Sequence, residues 1–159
     1  MSPRFTLAGM TELSTPRQHP LAALNWDAAH HTTMQVRYSD TDAMGHLNNG
    51  TYVIYLETAR VEMLGSMGLS LTDIRTVLAR IELDYVAEIK LGQQVVVDTL
   101  LERLGNSSYT FVARVTADGV PSAYARTVQV NLGTDGKPGP LSEERRAWLS
   151  RYQARPGNA

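Results

Sequence analysis

The chain contains no cysteine. Disulfides, thiolate metal sites and a cysteine nucleophile are thereby excluded, and a reducing compartment is the natural setting. Charge of one sign is also missing. With 15 Lys and Arg against 16 Asp and Glu the net charge is −1, so no general attraction draws the chain to nucleic acid or to an anionic membrane surface. No apolar run approaches the roughly 20 residues of a membrane span. Residues 1–9 lack the apolar core of a signal peptide, which makes the cytoplasm the expected location. There are no internal repeats and no low-complexity segments. What is present is an ordinary globular composition, 43% hydrophobic and 19% charged over 159 residues, enough for one domain with a modest core.

Residues 1–30 show no sustained periodicity and are broken by Pro3, Pro16 and Pro20. They read as a mobile or loosely docked arm. The domain proper is expected over residues 31–140, and a short helix and tail over 141–159. Residues 32–38 alternate as a strand does. A helix is expected from near Gly50 to Gly65 or Gly68. Its first half, Tyr52 to Leu56, is apolar on every side and so should be buried all round. A short helix is a further expectation over residues 71–77. Beyond it the signal is strand. Ile81, Leu83 and Tyr85 alternate with charged neighbours, a second strand runs from Val95 to about Arg103, a third from Tyr109 to Val115, and a fourth from Ser122 to Leu132. Asp118-Gly119 is a hairpin turn. Ser142 is placed to cap a last helix reaching about Gln153, with Glu143 and Glu144 in its first turn. One strand, a long apolar helix and then strands on short turns define an α+β fold with an antiparallel sheet wrapped around the helix. The edge strands of such a sheet favour a homodimer.

The richest segment runs from Asp40 through Thr41, Asp42, Gly45, His46, Asn48 and Asn49 into the helix. As a calcium loop it fails, because Met44 and Thr51 fall where ligands belong. Asp40, Asp42 and His46 offer three metal ligands that no single rigid element holds together. Asp42 can also simply cap a turn. A carboxylate beside the unpartnered amides and positive dipole of a helix start suits another chemistry, attack on an activated acyl group whose oxyanion the amides stabilise. An ordinary aspartate titrates near 3.9 and is charged at neutral pH, which suits a nucleophile better than a general base.

Together with Tyr52, Tyr55, Glu57 and Arg60 on the helix, and Arg80, Glu82, Asp84, Tyr85, Leu91 and Gly92 beyond it, this segment resembles the signature of hotdog-fold acyl-CoA thioesterases of the 4-hydroxybenzoyl-CoA thioesterase type, over roughly residues 32–140. The resemblance implies about five antiparallel strands around one central helix, homodimers or homotetramers with active sites at the dimer interface, an acyl-CoA substrate, and no metal or other cofactor. It implies Asp42 as nucleophile or general base, Gly45 and His46 as amide donors to the oxyanion, Asn49 as a polar group near the reacting centre, and Tyr52 as a wall of the acyl pocket. Glu57 is a further candidate for the substrate site, or simply an i,i+3 partner of Arg60. Arg103, Arg114 and Arg126 are strand cations that CoA phosphates would attract. Two positions depart from relatives. Met44 stands where plant acyl-carrier-protein thioesterases carry a functional Asn, and Ala87-Glu88 replaces an expected Pro. The rival functions are an acyl-carrier-protein thioesterase or a dehydratase on the same fold, and a non-catalytic dimer that binds acyl thioesters.

Overall fold

The computed structural model describes residues 18–70 and 72–158. Its elements are β1 (His30–Gln35), α1 (Asn49–Gly65), β2 (Thr76–Tyr85), β3 (Gln94–Leu104), β4 (Ser108–Ala117), β5 (Val120–Asn131) and α2 (Glu143–Ser150). The five strands form one antiparallel sheet in the order β1-β3-β4-β5-β2. α1 lies across one face, which is the expected sheet wrapped about a long central helix. Asp118 and Gly119 both adopt positive φ, 50° and 79°, as a tight hairpin between β4 and β5 demands. Consecutive strands β3, β4 and β5 therefore pair as neighbours. β2 takes its place at the far edge, beside β5.

Alternation sends Val95, Val97, Ala113, Val115, Ala123 and Ala125 to the inner face, where they meet Tyr52, Tyr55, Leu56 and Ala59 of α1. The alanines admit the tyrosine rings close to the sheet. At the other end of α1, Met63 and Leu64 join Leu101, Tyr109, Phe111 and Leu149 of α2 in a second cluster. Ser142 caps α2 as expected, its Oγ accepting from the Arg145 amide at 3.2 Å.

The outer face has its own cover. Two 3-10 turns, Pro20–Ala23 and Trp26–Ala28, lay Leu21 and Trp26 over Leu100, Val112 and Tyr124. The His19 ring stacks on Tyr124 with centroids 4.3 Å apart and reaches Asp84 at 3.0 Å. The tail secures this segment, with the Gly157 amide donating to Ala23 O at 2.7 Å and the Asn25 amide to Arg155 O at 2.9 Å. Residues 18–29 of the N-terminal arm are thus packed, and residues 1–17 lie outside the described residues.

Three local expectations differ from the structure. The first strand spans His30–Gln35 and not residues 32–38, because Asp40 draws Arg37 into a turn: its Oδ2 accepts the Arg37 amide at 2.9 Å, and Tyr38–Asp40 becomes a 3-10 turn. The helix starts at Asn49, next to the expected Gly50, where Asn48 caps it by accepting the Gly50 amide at 2.9 Å. Its first half is not buried all round, for Ile54 is 54% exposed in the single chain. No helix forms over residues 72–77. The chain there turns and enters β2 at Thr76, and Leu71 lies outside the described residues.

Candidate active site

The segment from Asp42 to Leu47 is a closed loop ahead of α1. The Asp42 amide donates to His46 O at 2.8 Å, and the Gly45 amide returns to Asp42 O at 3.0 Å. Gly45 sits at φ +78°, a left-handed position that a side chain would strain. Asp42 Oδ1 accepts two further amides, Met44 at 2.8 Å and His46 at 3.2 Å. Oδ2 has no protein partner among the described residues. One carboxylate oxygen therefore orients the side chain, and the other is left unengaged by the protein among the described residues.

This arrangement alters the expected donors. The amides of Gly45 and His46 are both engaged inside the loop, on Asp42 O and Asp42 Oδ1. The Asn49 amide, at the first residue of α1, has no partner among the described residues, as is the rule for the first N–H groups of a helix. Helix dipole and free donor coincide there.

Asp42, His46, Leu47, Asn49, Tyr52 and Glu88 line a cleft of about 390 Å³, closed on one side by Tyr85 to Ala87. The structure brings together four of the expected residues, Asp42, His46, Asn49 and Tyr52, with Gly45 as the hinge of the loop. Two contacts fix the cleft to the scaffold. Leu47 donates to Ile89 O at 2.7 Å, and Tyr85 Oη donates to Asn49 O at 2.9 Å. Tyr52 is buried and meets Tyr85 edge-on at 5.1 Å. Burial pushes the Tyr52 phenol up from its ordinary value, and the neighbouring Tyr85 and Glu88 add to this, so the hydroxyl stays protonated and available as a donor.

Tyr85→Phe is expected to leave the fold intact and lower stability by about 1 kcal/mol, the usual worth of one hydrogen bond. Urea unfolding checks this, and an unchanged midpoint would show that the tie to Asn49 contributes nothing.

Other expected residues stand apart from the cleft. Glu57 is two turns along α1, exposed, with Arg60 Nη2 at 3.6 Å from Oε1. Arg114 lies on the outer face, held by the buried Asp98 at 2.7 Å and stacked under Trp26. Arg126 is likewise held on that face by Glu102 at 2.6 Å and Glu82 at 3.1 Å. Arg103 does not line the cleft either. Asp40 faces away from Asp42, toward Arg37 and Tyr55. Among the described residues no three His, Asp or Glu side chains gather as a metal ion would require. Sequence reasoning missed Glu88 as a lining residue, because only the bridge between His46 and Lys90 brings its segment to the loop.

Comparison with known proteins follows the same lines. A family model described as the thioesterase-like superfamily matches residues 36–149. A predicted thioesterase from Bacillus stearothermophilus superposes with a TM-score of 0.73 at 38% identity, covering 80% of this chain and 98% of that one. A thioesterase from Thermus thermophilus, crystallised with coenzyme A and Zn, superposes with a TM-score of 0.72 at 34% identity, covering 77% and 92%. Among curated proteins, the uncharacterised protein YsmA of Bacillus subtilis (strain 168) is 29% identical over 79 residues, a match that spans 48% of this chain and only 54% of that relative's length. No helix among the described residues is long and apolar enough to cross a membrane.

Proposed function

The chain belongs to the thioesterase-like superfamily, and on that premise we propose that it hydrolyses an acyl-CoA thioester to the free acid and CoA, with Asp42 as the nucleophile. The observation that carries this reading is the asymmetry of the Asp42 carboxylate, anchored through Oδ1 by two amides and without a protein partner at Oδ2, in a residue that lines one cleft with Asn49. Oδ2 attacks the carbonyl carbon, and the Asn49 N–H receives the developing oxyanion. Such a donor contributes roughly 3–4 kcal/mol to the barrier reduction. Water then cleaves the acyl-aspartate, oriented by His46 and the Asn49 side chain. Tyr52 walls the acyl end. The CoA-bound Thermus relative supports CoA as the carrier.

The active unit in this reading is a homodimer, with or without further pairing into a tetramer. β2 is an edge strand whose outer ladder is open. Val77 and Leu78 of this strand, and Ile54 and Val61 of α1, are exposed in the single chain. An unpaired edge strand and exposed apolar side chains on a helix are surfaces that a second copy would cover. It would also bring Glu57, on the same stretch of α1, to the interface.

The test is release of CoA from short, long and aromatic acyl-CoAs by the purified full chain, with acyl-carrier-protein thioesters in parallel. Release from CoA thioesters is expected. Binding without cleavage would replace this reading by the non-catalytic one, and cleavage only from the carrier protein would change the substrate class. A mass in solution equal to one chain would overturn the dimer.

A further inference from the structure

We infer that the cleft selects acyl groups without a second carboxylate, and that Glu88 is a residue that sets this preference; the inference rests on the hydrolase reading above. Two of the residues lining the cleft, Asp42 and Glu88, are acids, and none is lysine or arginine. Lys90, the cation nearest to Glu88 along the chain, is not among them. Should His46 take up a proton, Glu88 Oε2 stands 3.2 Å from its Nε2, so the two together bring no positive charge. The rest of the wall is apolar, as at Leu47 and Val86, or polar and neutral, as at Asn49 and Tyr52.

Backbone pairing places Glu88 here. An antiparallel bridge joins His46 to Lys90, and the Leu47 amide donates to Ile89 O at 2.7 Å, so the segment carrying Glu88 lies along the catalytic loop. Tyr52 is the wall assigned to the acyl group, and the charge of Glu88 is among the causes that raise its phenol, which puts both side chains in one neighbourhood. Charge then decides which acyl groups fit. The attack needs a negative Asp42 at the carbonyl carbon. In a four-carbon diacid thioester the second carboxylate is no more than about 4 Å from that carbon. It would leave water, enter a space that already holds two negative charges, and meet no cation among the lining residues. Its methyl ester carries no charge and escapes this cost. The CoA phosphates are common to both compounds and cancel from the comparison. The Glu88 side chain is 65% exposed, so water and salt weaken its repulsion without abolishing it. The site thus rejects one class of acyl group by what it would meet there.

The experiment takes the purified full chain with an acyl-CoA that it cleaves as the reporter. Succinyl-CoA and its methyl monoester are compared as competitive inhibitors of that reaction, so neither has to be a good substrate. The monoester is expected to bind at least about tenfold more tightly than the diacid. Glu88→Gln should narrow this ratio by about threefold and Glu88→Lys by about tenfold. The wild-type ratio should also shrink as salt is raised from roughly 0.05 to 0.5 M. A general disturbance of the cleft would move both inhibitors together and leave the ratio where it was. A wild type that hydrolyses thioesters but binds the two inhibitors equally, or a ratio that Glu88→Lys does not change, would overturn this inference alone. A wild type that cleaves no thioester would instead remove the hydrolase reading.

Discussion

Asp42→Asn is expected to lower kcat by at least roughly 10²–10⁴-fold while leaving the protein as stable as the wild type. The two halves of this expectation come from the two oxygens of one side chain. The Asn side-chain oxygen can still accept the amides of Met44 and His46, so the loop keeps its shape. It loses the negative charge with which Oδ2 attacks. Asp42→Ala removes both features, and should be as inactive and also less stable by about 1 kcal/mol, since loop amides in contact with water lose only the net worth of their bonds. Steady-state CoA release and thermal unfolding of the three proteins separate the effects. Equal rates in all three would leave Asp42 with a turn-forming role only.

The largest loss of stability from a single polar change should come from Asp40. This carboxylate is 5% exposed. Arg37 grips both its oxygens, with Nε to Oδ2 at 3.2 Å and Nη2 to Oδ1 at 3.0 Å, and Tyr55 Oη donates to Oδ2 at 2.9 Å. Its carbonyl takes the Asn48 amide at 2.8 Å, so it also sets the start of α1. Asp40→Ala leaves the Tyr55 hydroxyl with only its longer bond, to Gln35 O at 3.3 Å, and is expected to cost about 2–4 kcal/mol in urea unfolding. The Arg37 side chain is 67% exposed and can return to water, which keeps the loss below that of a fully buried pair.

A pH dependence accompanies this. The Arg37 hydrogen bond, chiefly, holds the Asp40 carboxyl below its ordinary value of 3.8. A depressed carboxyl adds stability that is fully present above the unfolded value and is lost as pH falls through the folded one. Stability of the wild type should therefore fall below about pH 4, where the unfolded chain takes up the proton first. Asp40→Asn should flatten that decline. Parallel slopes for the two proteins from about pH 5 down through the acid transition would contradict the assignment.

The sheet was readable in the sequence because its determinants are local. Alternation in β3 to β5, Asp118-Gly119 and the Ser142 cap each act within a few residues. The acidic loop was readable for the same reason, since Asp42 bonds to residues two and four away. Its internal bonding was not: the amides of Gly45 and His46 are engaged within the loop, which is why the proposed oxyanion donor is Asn49. A motif gives residue order but not which amides are already occupied. Glu88, far beyond His46 along the chain, enters the cleft only through pairing of distant segments, which no local pattern encodes. Arg114 and Arg126 look alike in sequence to free cations. Their carboxylate partners, Asp98 and Glu102, are neighbours across the sheet and not along the chain. Ile54 shows the converse. An apolar run announces burial, but the single chain buries only the side of α1 that faces its own sheet.

The most direct measurement is a crystal structure of the full chain with an unreactive acyl-CoA analogue in which a methylene group separates the carbonyl from sulfur. Asp42 Oδ2 should lie within about 3–3.5 Å of the carbonyl carbon, and the Asn49 amide should point at the carbonyl oxygen. An analogue bound with its carbonyl out of reach of both groups would contradict the account.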